Sequence, residues 1–295
     1  MIGENDYDNG AELSYLFQRN LYEKADFHVS SLKWRTNIGK NWDIELSAHG
    51  AMGNYDLKGD KISGAAEFRY RGNIYDKVML NGSGYYSDPY FPGSRKGTVN
   101  ISQGISFSLA KDVNLSGSLG YNKTEPKSFS YNYNYNSEYS NASIFLTLPK
   151  IKKVSNSLFY RLQGESSSTY AQSYGNEGVS LPTSMKSNRL GWQWRWQGMR
   201  TKHSLFGTIE GGFYKDPVNN NLLNQAKSTL NYSYDWLSID VSYQKGAYYL
   251  YEYVMSTRQD KDFYRFTTSL SANKEISKKL MFSSGINFTL DNYQG

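Results

Sequence analysis

The hydrophobic pattern of this chain has a period of two, and it is clearest over residues 98–122. Side chains alternate faces along a strand. One face here carries Val99, Ile101, Ile105, Phe107 and Leu109, interrupted only by Gln103. The other carries Asn100, Ser102, Gly104, Ser106 and Ser108. Beyond residues 110–112, Val113, Leu115, Leu119 and Tyr121 continue the apolar face, and Asn114, Ser116, Ser118 and Asn122 the polar one. A three-residue loop over 110–112 sets Leu109 opposite Val113 and Phe107 opposite Leu115, so apolar meets apolar along a hairpin. The polar face is small and uncharged here, with no large side chain to build a second core. A sandwich needs an apolar layer that interdigitates with a partner sheet. A membrane barrel needs only an apolar exterior and a polar interior.

The same pattern recurs along the chain. Trp34, Thr36 and Ile38 lead into a turn and Trp42, Ile44 and Leu46 lead out of it. Leu190, Trp192, Trp194 and Trp196 precede another turn, and Leu205, Ile209 and Phe213 follow it. Leu230, Tyr232 and Tyr234 meet Leu237, Ile239 and Val241 across Asp235 and Trp236. Such turns centre near residues 40, 76, 111, 151, 200, 236 and 278, which predicts seven hairpins and fourteen strands. A strand over residues 11–18 makes fifteen. The spacing is too irregular for a solenoid or propeller repeat. Longer connections are expected at 54–61, 87–97, 123–137, 165–185, 215–224 and 250–262. Short turns at one end and long loops at the other are the topology of outer-membrane barrels. Trp42 and Trp236 beside short turns, and Tyr86, Tyr121, Tyr214 and Tyr249 toward long loops, fit interfacial girdles.

Composition narrows this reading. Of the 295 residues 16% are aromatic, including 27 Tyr, which argues against disorder. The mean hydropathy of −0.68 suits a barrel, in which half of every strand is polar. There is no cysteine, so disulfide scaffolds and thiolate metal sites are excluded. No apolar run is long enough for a transmembrane helix. The net charge of +6 is spread along the chain rather than clustered, so nucleic acid is not an expected partner. The first residues lack the basic and apolar regions of a secretory leader, so export implies a leader already removed, or a longer parent protein.

On these patterns the chain resembles a Gram-negative outer-membrane β-barrel over its whole length, and its Tyr-, Asn- and Lys-rich style is similar to barrels of Bacteroidota. The resemblance implies an all-β fold: a transmembrane, antiparallel, up-and-down β-barrel of about 14 to 16 strands in one domain over residues 1–295. It also implies outer-membrane lipid as the surroundings. Two departures matter. The last strand ends on the long-loop side without the aromatic terminal residue usual in such barrels, and fifteen strands is odd where bacterial single-chain barrels are even. Either the chain is part of a larger barrel, or residues 11–18 are a plug or tail segment rather than a strand.

Candidate chemistry lies on the polar face. Lys33, Arg35, Glu45, Glu67, Arg69, Arg161, Arg189, Arg195, Glu210 and Arg265 are expected to line a pore, where charges beside water tune which solutes pass. The basic excess favours anionic or neutral polar solutes, or the charges simply brace the wall. Loop aromatics Tyr90, Phe91, Tyr131, Tyr133 and Tyr135 could meet a ligand or a partner protein at the barrel mouth, or pack on themselves. His49 lies on the polar face beside Asp43, Glu45 and Ser47, with His28 expected near it on the neighbouring strand. No motif fixes a nucleophile, a phosphate loop or a metal set, so neither an enzyme nor a cofactor is expected. The reading is a porin-like channel or transporter barrel for polar solutes or exported substrates. The alternative is a surface adhesin or the membrane part of an assembly, and an outer-membrane hydrolase comes third.

Overall fold

In the computed structural model, the described residues are 9–21, 24–39, 41–55, 59–75, 77–127, 136–167, 184–198, 202–218, 220–258, 263–277 and 280–291. The strands are β1 (Gly10–Asn20), β2 (Ala25–Ile38), β3 (Trp42–Tyr55), β4 (Gly59–Ile74), β5 (Val78–Ser87), β6 (Thr98–Ala110), β7 (Val113–Thr124) and β8 (Ser137–Ile151). They continue as β9 (Val154–Ser167), β10 (Ser184–Gln197), β11 (His203–Lys215), β12 (Leu222–Tyr234) and β13 (Leu237–Lys245), then β14 (Tyr264–Ser277) and β15 (Leu280–Asp291). Among the described residues a helix, α1 (Leu250–Arg258), precedes β14. The fifteen strands form a single antiparallel up-and-down sheet in chain order.

Residues 11–18 lie within β1, which pairs with β2 along its whole length, so they are neither plug nor tail. The turn after β6 is shorter than expected. It takes only residues 111–112, with Asp112 at a φ of 62°, and Lys152 and Asp235 take the same left-handed conformation in their own turns. The connection expected at 54–61 shrinks to 56–58, because Gly59 to Ile62 continue the β ladder opposite Met52 to Tyr55. The connection expected at 250–262 begins earlier, at Gly246, and contains α1.

The two faces differ along every strand. On one, cross-strand rows are apolar: Trp34–Leu46–Phe68 is exposed throughout, and Trp196–Leu205–Tyr232–Ile239–Leu270–Ile286 runs from half-buried to exposed. Glycines on this face are covered by rings from the neighbouring strand. A Cβ on Gly82 would lie 2.5 Å from the Tyr70 ring, and one on Gly207 2.5 Å from the Trp194 indole. Gln103, the polar interruption, is satisfied there. Tyr70 reaches across Gly82 and donates its hydroxyl to Gln103 Oε1, while Gln103 Nε2 donates to the Asn81 and Gly104 carbonyls at 3.0 Å.

Contacts divide the chain into two compact units. The first comprises Met1–Phe107, Ser116–Ala142 and Ser166–Gln172; the second comprises Ser108–Leu115, Ser143–Glu165 and Ser173–Gly295. In the first unit the polar face is not polar throughout. Ala25, Phe27, Val29, Ala51 and Ala65 form an apolar cluster on it, closed over by Phe91 from the connection 88–97. In the second, residues 246–254 and Phe263 lie over part of the polar face, with Tyr248, Leu250, Val254 and Phe263 buried. Each such side chain taken from water contributes about 1.5–3 kcal/mol.

Candidate functional site

All ten charged residues expected on the polar face are there by register or by contact. In the first unit Arg35, Glu45 and Arg69 are consecutive in one cross-strand row. Glu45 lies between two cations, with Lys33 Nζ at 2.9 Å and Arg35 Nε at 2.7 Å. Glu67 is shared in the same way: Arg69 Nη2 is 2.5 Å from it, and Arg95 Nη1, from the connection 88–97, is 3.8 Å away.

The second unit repeats this logic with more burial. Glu210, Lys227, Gln244, Arg265 and Asp291 share one row across five strands. Arg161 and Arg189 both reach Glu210, at 3.5 and 4.0 Å, and the side chains of Arg189 and Glu210 are each 8% exposed. Arg189 Nη2 also donates to Gln163 Oε1 at 2.6 Å. Two residues further toward the short turns, hydroxyls replace charges. Thr208 bonds Thr229, and Ser242 bonds Thr267 at 2.6 Å. Arg195 lies in the next row, with Asn231 and Asp240, and is exposed.

The segment 246–254 rests on this wall through its own polar groups. Glu252, in the first turn of α1, is 1% exposed. Its Oε2 accepts from the backbone N–H of Tyr248 at 2.8 Å and of Tyr249 at 3.3 Å, so it caps its own helix as the acidic half of a capping box does. Gln244 Nε2 donates to it at 2.8 Å and Arg265 Nη1 at 3.2 Å. Glu165 Oε2 accepts from the Leu250 N–H at 2.9 Å. Two carboxylates therefore satisfy N–H groups that the helix start leaves open, where the helix dipole also favours negative charge. Gln163 Nε2 donates to the Tyr248 carbonyl at 3.0 Å, and the Arg189 guanidinium lies 4.7 Å from the Tyr248 ring centre. Burial holds the Tyr248 phenol well above its ordinary pKa, and nearby Glu210 pushes the same way. Burial raises the Tyr251 phenol too.

Several expectations need correction. Phe91 is 9% exposed and belongs to the apolar cluster, so it is a packing residue rather than a ligand contact. Tyr214 is no girdle residue. It shares the face of Glu210, is buried, and meets Tyr253 edge-on at 6.0 Å. His28 and His49 do not meet, because Met52 stands opposite His28 and Ser31 opposite His49, which puts the imidazoles on opposite faces. His28 bonds Tyr15 at 2.6 Å and His49 bonds Ser31 at 2.7 Å. Tyr90 remains half-buried, with Lys61 Nζ 4.9 Å from its ring centre. Tyr131, Tyr133 and Tyr135 lie outside the described residues.

Sequence reasoning passed over Arg95, Gln163, Glu165 and Glu252. One signal for Glu252 was present, an acidic residue three positions after Tyr249 in a segment already marked as a connection. The chain matches no protein-family model, and no curated protein matches it at a significant level.

Proposed function

We propose that the sheet closes into a transmembrane β-barrel of a bacterial outer membrane, and that its polar face lines a path for polar solutes or exported substrates. One observation carries this reading: along the strands with a described pairing, a largely apolar row, much of it exposed, backs a face on which charges, amides and hydroxyls predominate. Leu13 is 79% exposed and Ile286 68%. Soluble monomers rarely expose contiguous apolar surface on this scale. In lipid the same surface is solvated, and closure of the ring would pair the two edge strands β1 and β15. Strands of 9 to 16 residues meet the length a tilted membrane strand needs. Since β1 and β15 run the same way, the proposed ring closes by one parallel pairing or through a further strand.

Planar-bilayer recording tests it. Purified protein should give steady conductance, with an anion preference set by the basic excess around Glu45 and Glu67. Inserted protein that stays silent would remove the open-channel reading.

A second reading rests on α1. A connection anchored through a buried carboxylate and two wall glutamines is a constriction built into the polar face of the second unit. It favours a barrel that opens on command, or one that serves as a surface-binding protein. Conductance that appears only after Glu252 is substituted would select the gated form.

A further inference from the structure

The first unit holds a second feature on its polar face, and its chemistry points to a ligand class. A cleft of about 660 Å³ lies over β4 to β7. This volume is in the range of small-molecule sites. Its floor is neutral and rich in hydrogen-bonding groups. Ser83 and Ser102 bond each other at 2.9 Å, and Asn100 and Asn122 lie beside them. At its margin Arg69 and Arg95 share the single carboxylate of Glu67, which leaves one positive charge in excess.

The Arg95 arm is preorganised. Ser87 is 1% exposed; its hydroxyl donates to the Arg95 carbonyl and accepts from the Thr98 N–H at 3.1 Å. Gly97 N donates to the Asp88 carbonyl at 3.0 Å, and Phe91 fixes the same connection in the apolar cluster. The Arg95 guanidinium lies 4.9 Å from the centre of the Tyr85 ring, on one of its faces. That face is therefore not offered for stacking by a sugar or a base.

We infer that this cleft binds an acidic saccharide, with its carboxylate on the Arg69–Arg95 pair and its hydroxyls on Ser83, Asn100, Ser102 and Asn122. Guanidinium forks match a carboxylate bidentately. Vicinal hydroxyls suit a floor of amides and hydroxyls, which the Tyr70 and Tyr85 side chains also line. The inference rests on the passage reading, in that the site faces the proposed path.

Isothermal titration of the full chain in detergent tests it, with trigalacturonate as the acidic probe and maltotriose as the neutral one. Trigalacturonate should bind at least about tenfold more tightly than maltotriose, and Arg95→Gln and Arg69→Gln should each weaken it by about tenfold, the scale of one charge-assisted bond. Glu67→Gln releases both guanidiniums and should tighten binding about fivefold, a gain that no folding defect imitates. The proposal is overturned by no binding of trigalacturonate, by equal affinity for maltotriose, or by unchanged affinity in Arg95→Gln and Glu67→Gln. Protein that conducts in bilayers but binds no trigalacturonate loses this site and keeps the passage reading. Protein that binds but never conducts keeps the site and loses passage.

Discussion

Arg265 Nη1 donates to Glu252 Oε1 at 3.2 Å and so joins the first turn of α1 to the polar face of β14. Arg265 also lies 3.9 Å from Asp291. Glu252 is the more dependent partner, because its carboxylate is almost wholly buried and its burial is tolerable only while donors surround it.

Substituting Glu252 by Ala removes the helix cap and the shared acceptor of Gln244 and Arg265, while Arg265 keeps Asp291, so the loss should be about 1–3 kcal/mol. Glu252→Gln keeps an acceptor for the Tyr248 and Tyr249 N–H groups and should cost less. Hydrogen exchange over residues 246–258 is the measurement. Exchange in Glu252→Ala should rise there and stay unchanged in the first unit, and equal protection in both proteins would refute the anchoring role.

The phenols of Tyr248 and Tyr251 are held above their ordinary value by burial. A group whose folded pKa is raised contributes stability that is complete below its unfolded pKa and is lost as pH climbs toward the folded one. The docking of 246–254 should therefore be indifferent to these phenols up to about pH 10, the ordinary tyrosine value, and weaken above it. Phenolate absorbance reads this: Tyr248→Phe should lose amplitude only from the late part of the titration. Loss from the early part would place Tyr248 among the exposed phenols.

Gln103 faces the apolar side and depends on Tyr70. Tyr70→Phe takes away its hydroxyl partner and should cost about 1–3 kcal/mol in urea unfolding, the penalty for an unsatisfied polar group. Adding Gln103→Leu should recover most of that loss. Additive losses in the double variant would mean that the two side chains do not act as a pair.

Glu45 serves two cations, yet the cost of Glu45→Gln in stability should be small, about 0–1 kcal/mol, because Lys33 and Arg35 are partly exposed. Its effect belongs to selectivity. In the proposed channel the reversal potential under a salt gradient should move toward anions, and a shift toward cations would contradict the role given to this row.

Much of the wall was legible in the sequence because a period of two places a residue on a face without knowledge of its partners. Arg35, Glu45 and Arg69 follow from alternation alone, and so does the odd placement of Gln103. What covers the wall was not legible. In β2 the alternation changes phase: Ala25, Phe27 and Val29 share a face with Lys33 and Arg35, so one side is apolar near the long connections and charged further along. A pattern averaged over the strand hides that switch. It also made His28 look like a neighbour of His49, although one step of parity separates their faces. The helix escaped notice because 250–258 is short and mostly polar or aromatic, and its stability comes from Glu252, Glu165 and Arg265 rather than from propensity.

The central claim is that lipid surrounds the apolar face and water meets the other. Spin labels placed singly from Ser228 to Ser233 on β12, in protein reconstituted into bilayers, test it most directly. Leu230 and Tyr232 share rows with Val241 and Ile239, whereas Thr229 and Asn231 share rows with Ser242 and Asp240. Collision with oxygen should peak at positions 230 and 232, and collision with an aqueous nickel chelate at 229 and 231, in strict alternation. Labels that all meet the nickel chelate alike would contradict the claim, because the apolar rows would then face water.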